Sequence, residues 1–587
     1  MVIASACGDT GCSNSHSSTT PLPAQSRLHA KLRHKPLASA IQLPLMPALD
    51  LTQSGPPALG RITVLLRLAA LSVLLAIAAS GCANLPGNVL RVPSKTIMAT
   101  DTPLAVIAQD STVDPEQSGF RLLPTGQFAL QARLELARRA QRTLDVQYYQ
   151  IHDDRTGRYL LRTLRDAADR GVRVRLLMDD LYTAGQDPLL LGLNAHPNVE
   201  VRLFNPFAGG RQNFLTRVAA SAHDISRTHR RMHNKLFVAD GVMAVTGGRN
   251  ISDEYFMASE GANFVDLDTF VIGAVLPRLS SLFDEYWNSL RVYPLRSIVK
   301  TELSDAELQA QFVHLTRNEI TPEPEVPPPT DVLGYGPIVK ELDAGKIGLI
   351  WADAQAYADA PDKVVGRVST YAAVPIDDVD SVRYNVIELF RRARKEVVIT
   401  SPYLVPGKDG MEVFKASTER GVQYTLITNS LAATDEPMVH TGYRRYRPQM
   451  LELGMELYEL SPLRVSRSLR LGRFSTSIGR LHAKSAVVDG HRVFIGSMNF
   501  DPRSKQHNTE MGLFITSQTI AQQVLKLFGV IRQQGTYHVQ FAADGQTLQW
   551  TAAGADGKEV LVEEPETDFW SRMMLEVLSW LVPEDVL

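Results

Sequence analysis

The sequence predicts an α/β protein made of two duplicated α/β sandwich halves, packed with pseudo-two-fold symmetry around one shared active site. Three observations carry this prediction. Helix and strand patterns alternate from about residue 126 onward. The alternation runs twice. Each run ends in the same device: a histidine and a lysine two apart, an apolar run, Asp-Gly, and a second apolar run.

The first copy reads as helix LELARRAQR leading to strand LDVQYYQI, helix LLRTLRDAADRG leading to VRVRLLMDD, and a third strand VEVRLFNP. The second reads as LFRRARKE leading to VVITSPYLV, VFKASTERG leading to VQYTLITNS, and MELYELSP. Such alternation implies mostly parallel strands buried between helices, and explains continuous apolar runs such as VRLLM. The arginines in these helices read as a solvated face.

At 587 residues the chain is too long for one core. Residues 1–60 are rich in Ser, Pro, Leu and His without a period, and read as a disordered or untranslated extension, with Met46 as an alternative start. Residues 61–82 have signal-peptide length: Arg61 and Arg67 precede the apolar LAALSVLLAIAASGC. Ala79-Ser80-Gly81-Cys82 is similar to a bacterial lipobox, which implies a diacylglyceryl group on Cys82; an uncleaved anchor is the alternative. Residues 83–125 read as a linker, 126–300 as the first half, and 301–375 as a connector carrying the exposed Pro-rich stretch ITPEPEVPPPTD. The second half spans 376–535, and 536–587 is a C-terminal extension. Its helix FWSRMMLEVLSWLV is apolar nearly all round, so it either lies in a membrane interface or caps the domain as a core helix, the reading preferred here.

The net charge of −2 gives no global attraction to nucleic acid. The three cysteines, Cys7, Cys12 and Cys82, all precede the duplicated region, which therefore has neither a disulfide nor a thiolate metal site. No His, Asp and Glu cluster has metal-ligand spacing, so no metal and no cofactor is expected. Arg464, Arg467, Arg470, Arg473 and Arg480 occur with no acid until Asp489. They read equally as a basic lip for anionic headgroups and as a solvated loop.

The two repeated devices hold the chemistry. In LHAKSAVVDGHRVFIGSMN, His482 and Lys484 share one face of an extended chain. Asp489-Gly490 is a hairpin signal, and a two-residue turn there sets Ser497 opposite His482. In RRMHNKLFVADGVMAVTGGRN, His233 and Lys235 precede Asp240-Gly241, and the same pairing sets Gly248 opposite His233. Asn250 and Asn499 follow at matching distances. A phosphate fits between such elements: lysines and amide donors hold its oxygens while an imidazole reaches phosphorus.

This doubled His-Lys-Asp signature resembles the phospholipase D superfamily. The stretches LDVQYYQIHDDRTGR, GVRVRLLMDD, VRLFNPF, GGRNISDEYF, LITNSLAATD, VHTGYRRYR and GSMNFDPRS resemble its bacterial cardiolipin synthases of the C type. The resemblance implies two phospholipase D-like halves and a catalytic set of His233, Lys235, Asp240, His482, Lys484 and Asp489, the two aspartates as structural support. It implies phosphate binding by Asn250, Asn499, Gly248 and Ser497. It places Glu510 on the second nitrogen of His482, and Asp266, with Asp268 as the alternative, on that of His233. His229, His440 and His491 lack spaced partners and read as surface or structural.

The implied reaction is a metal-independent phosphatidyl transfer that makes cardiolipin from two phospholipids through a phosphatidyl-histidine, with His233 as nucleophile and His482 as general acid. The alternatives are a phospholipase D-type hydrolase, a nuclease, and a lipid-binding protein without turnover. The implied partners are phosphatidylglycerol or phosphatidylethanolamine and a membrane surface; no protein partner can be inferred. The lipobox places the catalytic region outside the cytoplasm, anchored through Cys82 to the bacterial envelope, whereas the C-type relatives generally lack a lipobox.

Overall fold

A computed structural model describes residues 84–581 except 222–223, 366–378, 469, 473, 475 and 555–556. The N-terminal extension, the signal-like segment with Cys82, and Arg473 lie outside the described residues. In chain order the first half contributes β1 (Ser118–Leu123), β2 (Thr143–Tyr148), β3 (Arg173–Asp179), β4 (Val199–Phe204), β5 (Lys235–Ala239), β6 (Met243–Gly247), β7 (Ala262–Val265), β8 (Asp268–Gly273) and β9 (Val292–Pro294). There follow β10 (Ile350–Ala358), β11 (Glu396–Thr400), β12 (Gln423–Asn429), β13 (Glu456–Leu460), β14 (Ile478–Leu481), β15 (Ser485–Val488), β16 (Arg492–Gly496), β17 (Met511–Thr516), β18 (Thr536–Phe541), β19 (Leu548–Gly554) and β20 (Gly557–Leu561).

Eighteen of these strands form one hydrogen-bonded series, β9-β4-β3-β2-β5-β6-β8-β1-β10-β17-β16-β15-β11-β12-β13-β18-β19-β20. The duplication is visible in it: β2-β3-β4 and β11-β12-β13 are parallel triplets, each extended by an antiparallel hairpin, β5-β6 or β15-β16. The expectation of mostly parallel strands is therefore corrected. Consecutive strands run parallel where a helix joins them, as β2 to β3 through Arg155–Asp169, whereas the short Asp-Gly turns force antiparallel pairing.

The described parts of the segments read as linker and connector contain regular elements. Residues 83–125 hold the helix Pro103–Ser111 and β1, and 301–375 hold β10. The β1–β10 ladder is what joins the two half-sheets. Between the halves lies a common core in which Phe120, Leu177, Leu236 and Phe283 pack in one cluster with Ile427, Val487, Leu513 and Val524. Each such fully buried side chain contributes about 1.5–3 kcal/mol, so separating the halves would expose a large part of the stabilising surface. Not every helix arginine is solvated: Arg133, fully buried, donates to Tyr148 Oη at 2.7 Å and to Asp268 Oδ2 at 2.8 Å.

The Asp-Gly turns form as expected in kind but not in register. Asp240 and Asp489 have φ of 51° and 52°, and Gly241 and Gly490 both have φ of 69°, the left-handed pair a primed turn requires. One further residue, Val242 or His491, then stays outside the ladder, so Ala239 pairs with Met243 and Val488 with Arg492. The shift of one residue overturns the expected opposition of Ser497 to His482 and of Gly248 to His233. Gly496 N–H instead meets Lys484 O, and Ser497 N–H donates to Met511 O.

The helix Phe569–Leu581 does not cap a core. Leu575 is buried, but Phe569, Trp570, Met573, Met574 and Val577 are exposed. A helix that is apolar on every side needs cover on every side, and at Phe569, Trp570, Met573, Met574 and Val577 that cover is missing.

Candidate active site

Each histidine sits just beyond a backbone contact that crosses between the halves. Strand β14 runs parallel to β7 with Leu481 paired to Val265, and His482 N–H donates to Val265 O at 2.8 Å. The next residues along, His482 and Asp266, thereby meet, with Nδ1 to Oδ2 at 2.7 Å. On the other side of the pseudo-two-fold axis a parallel bridge pairs Met232 with Thr509, and His233 N–H donates to Thr509 O at 2.9 Å. His233 Nδ1 then lies 2.9 Å from Glu510 Oε2. The pairing expected within each half is thus corrected: Asp266 holds His482 and Glu510 holds His233. The same-half carboxylates, 28 residues after His482 and 33 after His233, are each taken by the other half's histidine, because the parallel contact delivers the other half's acid beside the ring. Asp268, the alternative, is taken by Arg133 and Arg249, with Arg249 Nη1 at 3.5 Å.

The ends of the parallel strands steady these junctions. Asp179, closing β3, accepts from Met232 N–H at 2.8 Å and from Arg231. Asn429, closing β12 at the equivalent point, accepts from Leu481 N–H at 2.8 Å and donates to Leu481 O at 2.9 Å. The residue before each histidine is therefore pinned by side-chain hydrogen bonds. The lysines are pinned too: Lys235 Nζ donates to His233 O and Lys484 Nζ to His482 O, both at 2.6 Å. All four side chains are buried.

The remaining predicted residues divide into two groups. Asn250 donates to Tyr255 Oη at 2.9 Å, and one amide oxygen each of Asn250 and Asn499 has no protein partner. Ser497 Oγ donates to Glu510 Oε2 at 2.5 Å, and a Cβ on Gly248 would collide with the Asp266 carboxylate. Asn250, Ser497 and Gly248 therefore border the histidine pairs, and Asn499 N–H donates to Ser504 Oγ, which in turn holds Glu510. Asp240 and Asp489 lie elsewhere, at the hairpin tips. The Asp240 carboxylate accepts N–H groups of Gln141, Arg142 and Thr143, and that of Asp489 those of Arg394, Lys395 and Glu396. They tie each hairpin to the start of its β2 or β11 strand and do not face the histidines.

Several site residues had no spacing signal. Tyr149 sets its ring edge-on to His233 at 5.0 Å and lies 5.3 Å from Lys235 Nζ. Tyr255 Oη lies 3.3 Å from His482 Nε2, and Phe264 packs at 5.0 Å from the same ring. Ser504 Oγ donates to Glu510 Oε1 at 2.8 Å. A tyrosine next to a strand end looks like any core aromatic until the strand end is known to be the site. His440 is buried beside Arg447, and burial pushes it down to about 3; His229 is exposed. In the basic segment Arg467 and Arg470 are exposed, while Arg464 turns back to Ala553 O at 3.1 Å.

The two pairs differ electrostatically. Burial lowers both imidazoles, reinforced by Lys235 and Lys484 at His233 and by Lys484 at His482. His482 is pushed down to about 4 with Asp266 opposing the shift, whereas His233 falls well below its usual range. Burial also pushes Glu510 up to about 7 against the pull of Lys235. At Asp266 burial acts in the same upward sense, yet His482, Lys484 and Arg249 together outweigh it and the carboxyl sits at about 2. Burial brings Lys484 down to about 8. No group of three or more His, Cys, Asp or Glu arranged to hold a metal ion occurs among the described residues.

Both copies fall within known sequence relationships. The family model described as "Cardiolipin synthase, PLD-like domain" matches residues 134–287 and 386–531, half of the chain and both histidine devices. Cardiolipin synthase C of Escherichia coli is 38% identical over 478 residues, covering 80% of this chain and 96% of that protein. Cardiolipin synthase 2 of Staphylococcus epidermidis is 23% identical over 392 residues, 67% of this chain and 63% of that one. Among solved structures, the phosphatidylserine synthase of Haemophilus influenzae superposes with a TM-score of 0.51 at 14% identity, over 82% of this chain and all of that one, a likeness of fold. The chain is an enzyme of the phospholipase D superfamily and belongs to its family of cardiolipin synthase, PLD-like domains.

Proposed function

We propose that the enzyme transfers a phosphatidyl group between phospholipids, making cardiolipin, through a covalent phosphatidyl-histidine. The observation that supports this best is the pair of cross-half contacts: each Nδ1 is engaged by a carboxylate, so Nε2 is the reacting nitrogen of each ring, that of His482 lying 3.3 Å from Tyr255 Oη, which substrate must displace or share. His233 is the nucleophile. Its partner Glu510 keeps a proton up to about 7 and so does little to charge the ring, and a neutral imidazole attacks. His482 is the general acid: burial brings it down to about 4, the ionised Asp266 opposes that shift, and the bound phosphodiester monoanion supplies the further pull toward the imidazolium that proton donation requires.

Nε2 of His233 forms a bond to phosphorus as the bond to the leaving alkoxide breaks, and His482 gives that alkoxide its proton. Neutral His482 then takes the proton of the acceptor hydroxyl, whose oxygen attacks phosphorus and releases His233. Lys235, Lys484, Asn250 and Asn499 hold the phosphoryl oxygens as charge accumulates. Losing one such donor typically costs about a hundred- to thousand-fold. The bound monoanion also favours the charged form of the two lysines that burial depresses. The acceptor is the glycerol hydroxyl of phosphatidylglycerol, and the donor is phosphatidylglycerol or phosphatidylethanolamine.

Cys82, which lies outside the described residues, carries a diacylglyceryl anchor in this reading, with the catalytic region on the envelope side. Cys82→Ala should then abolish lipid labelling and change the processed mass; an unaltered mass and fractionation would remove the anchor from the proposal. The reaction itself is tested by supplying two phospholipids in the presence of chelator. Cardiolipin is expected. Phosphatidic acid alone at high phosphatidylglycerol would establish a hydrolase, and complete loss in chelator would exclude the metal-independent mechanism.

A further inference from the structure

The geometry points to a membrane-docking face formed by two apolar patches, one from each half, on either side of the site, with an anionic lipid bilayer as its occupant. This rests on the phospholipid reading above and adds how the site reaches its substrate.

The second-half patch is the helix Phe569–Leu581. Phe569, Trp570, Met573, Met574 and Val577 follow helical spacing along one exposed side, from 42% to 69% accessible. The other side is fastened down: Glu576 pairs with Arg444 at 3.3 Å, and Arg445 donates to Ser579 O. Its lead-in is tied to the C-terminal end of β13, in the sheet that carries the site. Glu566 accepts from Ser461 Oγ at 2.5 Å and from Leu463 N–H at 3.4 Å. Ser461 directly follows β13, the neighbour of the strand whose end, Asn429, pins Leu481 before His482. Exposed Leu463 and Val562 extend the patch, and exposed Arg467 and Arg470 follow on the same segment.

The first-half patch follows β4, the counterpart of β13. The short helix Phe214–Ala220 buries Arg217, which donates to the carbonyls of Asp180 and Leu181, and exposes Phe214, Leu215 and Val218, with Leu215 80% accessible. Tyr182, one residue beyond Leu181, packs edge-on against Tyr149 at 5.3 Å, and Tyr149 against His233 at 5.0 Å. Both patches therefore grow from the C-terminal ends of the parallel triplets, where the histidines also sit.

A bilayer is the occupant these features fit. Large exposed Phe, Trp, Leu and Met side chains at a site for phospholipids match the acyl boundary, and the exposed Arg467 and Arg470 match anionic headgroups. No helix among the described residues is long and apolar enough to cross a membrane, so a surface mode of binding suits them.

The test uses the full chain with vesicles of phosphatidylcholine and phosphatidylglycerol whose acyl chains are brominated. The contribution of Trp570, taken as the difference between wild type and Trp570→Phe, should be quenched on vesicle addition. Phe214→Ser/Leu215→Ser and Trp570→Ser/Met574→Ser should each raise KM on vesicles by about tenfold or more with kcat retained, and leave turnover of a monomeric short-chain phospholipid unchanged. Arg467→Glu/Arg470→Glu should weaken action on anionic vesicles only. Unquenched Trp570, or unaltered vesicle KM in both apolar variants, overturns the docking face. So would wild-type dimers that those variants dissociate into monomers by light scattering, which would assign the patches to a second copy. Absent turnover of the short-chain lipid by wild type would instead defeat the proposed function while leaving the quenching result to stand or fall alone.

Discussion

His482 Nδ1 lies 2.7 Å from Asp266 Oδ2 although 216 residues separate them, and the contact crosses from one half of the molecule to the other. Together with its counterpart, His233 and Glu510, it means that neither half holds both members of a histidine–carboxylate pair. The common core and the β1–β10 ladder therefore serve function as well as stability, because they hold each imidazole against the other half's acid.

The two acids should respond differently to pH. Glu510 carries its proton below about 7, where Gln imitates it, so Glu510→Gln should act nearly as wild type at low pH and lose progressively more as pH rises through that value, on the order of tenfold. Asp266 is ionised throughout the working range, so Asp266→Asn should cost on the order of 10²–10⁴ at every pH. Profiles of kcat/KM check this; a constant deficit in Glu510→Gln would refute the unequal acids.

The histidines should also be distinguishable. With a phospholipid analogue bearing a good leaving group, His482→Ala should still form a covalent adduct, because leaving-group protonation matters less, while His233→Ala should form none. Mapping the acid-labile phosphorylated peptide decides between them. An adduct on His482 reverses the assignment, and an adduct on neither dismisses the covalent route.

Gly248→Ala should disable the His482 side. The new Cβ collides with the Asp266 carboxylate, which must then leave its place beside the imidazole. Turnover should fall about a hundredfold with the melting temperature little changed, as expected for loss of a histidine-orienting partner. Activity within a factor of two of wild type would mean that the carboxylate has room the structure does not give it.

Asp240→Ala and Asp489→Ala should act on stability. Each removes a carboxylate accepting three backbone N–H groups, at a cost of about 1–3 kcal/mol, and the cost should be larger at the more buried Asp240. Urea unfolding measures the loss, and turnover per folded molecule should stay within a few-fold. Abolished turnover at unchanged stability would return these aspartates to the reacting groups.

Much of this protein was determined by local sequence. Alternation of strand and helix patterns, repeated once, was enough for the duplicated α/β halves, and the His-x-Lys spacing with following Asn was enough for the two motifs, because both depend on residues a few positions apart. Asp-Gly likewise called for a left-handed turn, since those residues tolerate positive φ. The tertiary structure decided what depends on long-range register. One residue outside each hairpin ladder moved Ser497 and Gly248 away from their expected partners and to the acids. The parallel contacts Leu481–Val265 and Met232–Thr509 exchanged the carboxylates between halves, which no spacing within one half could encode. Whether the helix Phe569–Leu581 was covered or exposed was equally undetermined by its composition, because an apolar stretch states that it must avoid water but not what will cover it.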